Sequence, residues 1–223
     1  LWWRDGEAMK PTAALDRLLG LTAKWRVPLA LAVIPEPTGA ALADRLKAEG
    51  LTTIAVHGWA HRNHAPATEK KAELGAHRPT PAVLTELERG LEKLRDLHGP
   101  RLAPVLVPPW NRIAPEVVAG LPALGFRAVS TFGPPKPTPL AVINTHVDLM
   151  DWHGTRGGRP TEALYADLAR ALALPSDAPI GILSHHLVHD AQAWAFLDAL
   201  FALTQDHPGC RWSGLGDLLP ARA

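Results

Sequence analysis

The stretch Leu51-Thr52-Thr53-Ile54-Ala55-Val56-His57-Gly58-Trp59-Ala60-His61 decides how this chain is read. Its first half is a short apolar run rich in β-branched residues and preceded by Gly50, the composition of a strand buried on both faces. Its second half sets two imidazoles four residues apart where that strand would turn into a helical segment, so both rings can face one point. Two neutral imidazoles and one carboxylate leave open positions on a divalent ion, the donor set of a hydrolytic site. Asp5 and Glu7 offer carboxylates at the end of another apolar run.

On both sides of this stretch, apolar runs alternate with helical periodicity along the whole chain. Strands are expected at Leu1 to Arg4, Val27 to Ile34, Leu51 to Val56, Leu102 to Val107, Phe126 to Phe132, Ala141 to Val147 and Ile180 to Ser184. Helices are expected from Pro11 to Lys24, Gly39 to Glu49, Pro81 to Leu97, Pro115 to Leu124, Thr161 to Leu174 and Asp190 to Thr204. The clearest is Pro81 to Leu97, with Leu84, Leu87, Leu91 and Leu94 on one side, Thr80 as its cap and Pro81 in its first turn. Seven strands alternating with helices give a parallel α/β fold, and a distorted barrel of the (β/α)7 type is favoured over an open doubly wound sheet. The reason is chemical: polar residues follow several different strands, and only a closed sheet brings all those ends to one mouth.

At 223 residues, without a long polar linker, the chain reads as a single domain over 1–223. A net charge of +1 argues against an electrostatic claim on nucleic acid. No apolar run reaches ~18 residues, so no transmembrane segment is expected. One cysteine, Cys210, excludes an internal disulfide and a cysteine-rich zinc site, and favours a cytoplasmic location. A Gly-rich nucleotide fingerprint and a Gly-x-Ser-x-Gly elbow are both absent.

His57 and His61 are the candidate metal ligands, with Asp5 or Glu7 as carboxylate. His185, in Ser184-His185-His186, follows a strand and can serve a departing group as acid if it faces the mouth; His186 should then point elsewhere. Asp151 can orient an arginine or a catalytic histidine, and Trp152 can form a pocket wall, while Asp148 fits a turn equally well. Trp110, Asn111 and Arg112 offer a stacking face, an amide and a fixed cation to a polar ligand such as a carbohydrate.

Together these segments resemble the polysaccharide deacetylase family, metal-dependent hydrolases with a distorted (β/α)7 barrel. Trp3-Arg4-Asp5-Gly6 looks like the family's Thr-Phe-Asp-Asp, which makes Asp5 the general base. His57 and His61 match its two metal-binding histidines, Val107-Pro108-Pro109-Trp110 is similar to its Arg-Pro-Pro-Tyr, Asp151-Trp152 matches its acidic-aromatic segment, and Leu183-Ser184-His185 matches its Leu-x-His, which makes His185 the general acid. The resemblance implies a divalent metal, Zn²⁺ foremost, and removal of acetyl groups from an N-acetylated sugar or related amide. Two positions depart from the pattern. Val107 replaces an arginine, and Gly6 replaces the metal-binding aspartate, so that Asp5 or Glu7 has to serve as ligand. Gly6 keeps a second reading open, a catalytically silent carbohydrate-binding barrel.

Overall fold

The computed structural model describes residues 1–174 and 178–221. Eight parallel strand segments, β1 (Trp2–Ala8), β2 (Leu29–Val33), β3 (Thr52–Val56), β4 (Leu102–Leu106), β5 (Ala128–Val129), β6 (Ala141–Val142), β7 (Val147–Asp148) and β8 (Gly181–Ser184), lie in the order β6-β5-β4-β3-β2-β1-β8-β7. The two ends of this sheet are the two halves of one broken stretch. On one side Ile143 N donates to Val129 O and Thr145 N to Thr131 O; on the other His146 N donates to Gly181 O and Leu149 N to Leu183 O. The expected strand Ala141 to Val147 therefore forms, but as a kinked seam that curls the sheet into a distorted (β/α) barrel. Helices α1 (Ala13–Trp25), α2 (Ala40–Leu46), α3 (Thr80–His98), α4 (Pro115–Gly120), α5 (Thr161–Ala173) and α6 (Ala191–Thr204) pack outside it.

Side-chain alternation sorts the two layers. In β2, Leu29, Leu31 and Val33 join the cluster built with Leu15, Leu87 and Phe201 of the helices, while Ala30 and Ala32 join Trp2, Ala55, Val105, Ala128 and Ile143 inside the barrel. Small alanines leave room inside for Trp2 and, above it, for Arg4. Strand β1 runs four residues past the expected Arg4 end, to Ala8. Helix α3 starts one residue earlier than expected: Thr80 lies within it, and Pro79 at the cap offers no side-chain bond. Thr12 and Asp190 do cap, accepting from Leu15 N and Ala193 N. No helix among the described residues is long and apolar enough to cross a membrane.

Candidate metal centre at the barrel mouth

The end of β1 determines which acid reaches the mouth. Trp2 and Arg4 face the barrel interior, where the Arg4 guanidinium donates to Ser130 O at 2.7 Å, Ser130 Oγ at 2.6 Å and Thr145 Oγ1 at 3.4 Å. Burial lowers Arg4 to about 10, against the pull of the Asp148 and Asp5 charges. Trp3 and Asp5 take the opposite face. Asp5 is fully buried; its Oδ2 accepts from Ser184 Oγ at 2.6 Å and His186 N at 3.0 Å, and its Oδ1 pairs with His186 Nδ1 at 2.5 Å. Burial would raise this carboxyl, but the His186 charge and bond, with Ser184, hold it below its usual range.

Beyond Asp5 the pairing with β2 slips: Asp5 lies opposite Leu31, yet Ala8 lies opposite Val33, so three steps on β1 match two on β2. This bulge, with Glu7 in the left-handed region at φ 68°, turns the Glu7 side chain toward the mouth. Burial and the Asp5 charge raise the Glu7 carboxyl above its usual value.

Across the mouth, His57 follows β3. Its N donates to Val33 O at 2.9 Å, and its Nδ1 lies 2.9 Å from Val107 O, a contact that fixes the ring and leaves Nε2 available. His61 follows at φ 52°, its Nε2 3.5 Å from Glu7 Oε1. Ligand atoms of Glu7, His57 and His61 all lie within 4.8 Å of one another. Burial pushes both imidazoles below their ordinary pKa, well below for His57, so both are neutral bases at pH 7. Two neutral nitrogens and one carboxylate fit a borderline divalent ion such as zinc.

The walls come from other strand ends. After β4, Trp110 (φ 54°) lays its ring 4.3 Å from that of His61. After β7, Trp152 donates its indole N–H to Asp148 Oδ2 at 2.9 Å and stands edge-on to the His185 ring at 4.8 Å. His185 follows β8 and covers Gly6: a β-carbon at Gly6 would lie 2.9 Å from its Cδ2 and 3.1 Å from its Nε2. Burial lowers His185 to about 4.

The structure thus brings His57, His61, Trp110, Trp152 and His185 around one mouth. It does not bring Asp5 into the Glu7/His57/His61 cluster, because β1 alternation turns that carboxylate outward onto His186; Glu7 supplies the carboxylate of the cluster. Among the described residues Asp151 makes no hydrogen bond to His185 Nδ1. Its carboxylate accepts from Gly154 N and Thr155 N of its own loop, and Asp148 is the acid beside Arg4 and Trp152. Arg112 donates to Lys71 O at 2.8 Å and Asn111 is exposed, so neither lines the metal cluster. His186, expected to point away from the mouth, does so and pairs with Asp5. Sequence reasoning missed Glu73, which is buried beneath the His57 to His61 loop and accepts from two of its amides, Trp59 N and Ala60 N, and from Arg62 N just after it. A hollow of about 420 Å³ between the ends of α5 and α6, lined by Leu168, Leu172 and Leu203, lies at the start of β8, away from the mouth.

No family model and no curated protein matches the chain. Solved structures do match it over most of its length, and their shared architecture is that of the polysaccharide deacetylases. A Mycobacterium smegmatis protein assigned to the polysaccharide deacetylases superposes with a TM-score of 0.67 at 18% identity, over 93% of this chain and 76% of that one. A family 4 carbohydrate esterase from Streptomyces lividans, in complex with acetate, gives 0.61 at 13%, over 91% and 85%. A family 4 pseudoenzyme from Bacillus anthracis gives 0.66 at 13%, over 99% and 65%. The chain therefore has the polysaccharide deacetylase fold, with a His/His/Glu cluster at the mouth of its barrel.

Proposed function

We propose that the chain is a metal-dependent hydrolase that removes acetyl groups from an N-acetylated sugar or a related amide. The observation that carries this reading is the convergence of Glu7, His57 and His61 from two strand ends, with His185 and Trp152 facing them from two others. A divalent ion would be held by Glu7, His57 and His61, and would supply Lewis acidity for an acyl oxygen and for a water molecule at neutral pH.

The chain's own groups handle the protons and the sugar. Asp5 is unsuited to be the base, since both its oxygens are engaged and buried behind β1. His185 is the remaining group: lowered to about 4 by burial, it is unprotonated at neutral pH, takes a proton during attack at the mouth and returns it to the departing amine. The amine leaves with that proton as the carbon–nitrogen bond breaks, giving acetate and a free amino group. Trp152 and Trp110 supply flat faces for a sugar ring.

A second reading, a carbohydrate-binding barrel without turnover, is favoured by Gly6, which puts no carboxylate beside Glu7. Metal content and acetate release, measured on several N-acetylated sugars for the wild type and for Gly6→Asp, separate the two. Metal with acetate release in the wild type supports the hydrolase. Metal without acetate, and turnover only in Gly6→Asp, supports the silent barrel. A wild type that takes up no divalent ion overturns the metal reading itself.

A further inference from the structure

Beneath the loop that carries His57 and His61 lies a carboxylate that the proposed chemistry does not use. Glu73 is 1% exposed. Its Oε1 accepts from Ala60 N at 2.8 Å and Arg62 N at 3.2 Å, and its Oε2 accepts from Trp59 N at 3.1 Å. These amides belong to the residues between and just after the two histidines, and together they form a concave N–H nest closed on one carboxyl group.

The loop depends on that carboxyl group in two ways. Gly58 stands at φ 60°, and a β-carbon there would lie 2.0 Å from Glu73 Oε2 and 2.7 Å from Pro109 Cγ, so the carboxylate occupies the space a side chain would need. His61 stands at φ 52°, a left-handed conformation that costs a non-glycine residue about 1 kcal/mol or more. The Arg62 amide bound to Glu73 immediately follows it. The Glu73 segment is itself anchored: His64 N donates to Ala72 O at 2.9 Å and Ala114 N to Leu74 O at 2.8 Å, which links the metal loop to the segment following Trp110.

We infer that Glu73 is a positioning residue for the metal centre: by binding three loop amides it holds His61 in its left-handed conformation, aimed at Glu7 and His57 before any ion arrives. The inference rests on the proposed metal centre. Glu73→Gln is nearly isosteric, but its amide can accept at only one end, so either Trp59 N or the Ala60 and Arg62 pair is set against a donor.

The test reads cobalt(II) affinity from ligand-field absorption on folded protein well below its melting temperature. Leu200→Ala, a buried α6 residue, serves as a control that lowers stability without touching the loop. The expected result is a ~10–100-fold weaker affinity in Glu73→Gln, as for other groups that orient metal ligands, and an unchanged affinity in Leu200→Ala. Equal affinity in wild type and Glu73→Gln overturns the assignment and leaves the metal centre standing, whereas a wild type that binds no cobalt removes both. Hydrogen exchange on the metal-free wild type needs no variant. Amides of Trp59, Ala60 and Arg62 protected without metal support the inference; amides that exchange freely until metal is added overturn it.

Discussion

Replacing Asp5 tests whether this acid is structural or chemical. Asp5→Ala leaves the Ser184 hydroxyl, the His186 amide and the His186 ring nitrogen without their acceptor, at residues that are 0–2% exposed. Breaking a buried hydrogen-bonded ion pair by removing one partner costs about 3–5 kcal/mol. With a urea slope of about 2–3 kcal/mol/M, the unfolding midpoint should fall by roughly 1–2 M. Asp5→Asn keeps an oxygen for Ser184 and the His186 amide but loses the charge, and should cost about 1–2 kcal/mol. The assay is urea unfolding in chelator, so that bound metal adds nothing to either state. The pH profile adds a second check. Burial alone would lower His186, but the Asp5 charge and bond raise it above its ordinary value. Its contribution is then fully present below about pH 6.5 and is lost as pH rises through the raised folded value. Asp5→Asn should remove that slope. An Asp5→Ala protein with wild-type urea resistance that has lost cobalt binding or turnover would refute the reasoning and return Asp5 to the metal or the water.

His61→Ala should weaken cobalt affinity by about 100-fold or more, roughly 2.7 kcal/mol, in a chelator competition. His185→Ala should bind cobalt like the wild type and lose about 10²–10⁴-fold in acetate release; in the active protein, kcat/KM should fall as pH drops through about 4, where the ring becomes protonated and ceases to be a base. Trp152→Ala should raise KM for sugar substrates about 3–10-fold with kcat unchanged, the loss of an aromatic face that contacts substrate and transition state equally. Asp190→Ala removes the α6 cap and the bond from Gly158 N at 2.8 Å, and thermal unfolding should report a loss of about 1 kcal/mol or slightly more.

The parallel fold was legible because short runs that are apolar on both faces, such as Leu29 to Val33, alternate with helical periodicity; every residue of that run is buried, the leucines and Val33 in the helix layer and the alanines in the barrel interior. His57 and His61 were legible because the strand followed by two histidines four apart is matched by polar clusters after several other strands. Three features were not, and each depends on partners distant in sequence. Choosing between Asp5 and Glu7 requires the bulge, which is a property of pairing with β2 and not of the β1 residues alone. Choosing between Asp148 and Asp151 requires knowing where β7 stops: Asp148 is its last residue and reaches Trp152, while Asp151 already lies in a loop whose amides consume it. Glu73 sits in a polar stretch whose only fully buried large apolar side chain is Leu74, and nothing local marks it as the floor of a loop more than ten residues upstream.

The bulge also changes what the glycine means. By resemblance alone, Asp5-Gly6 fills a pair of acids in which the first moves protons and the second holds metal, so Gly6 would remove the metal ligand. With Glu7 in the ligand position, the corresponding pair is Gly6-Glu7, and the missing side chain is the proton-moving one. The two registers predict opposite phenotypes. The first gives a site that cannot hold an ion. The second gives a site that holds an ion with three donors and has His185 to serve the water, in the space an aspartate at position 6 would need. Gly6→Asp therefore has to displace the His185 ring to help, and a variant that gains turnover should do so with cobalt affinity already at the wild-type level. Cobalt binding that appears only when Gly6 becomes aspartate would restore the first register.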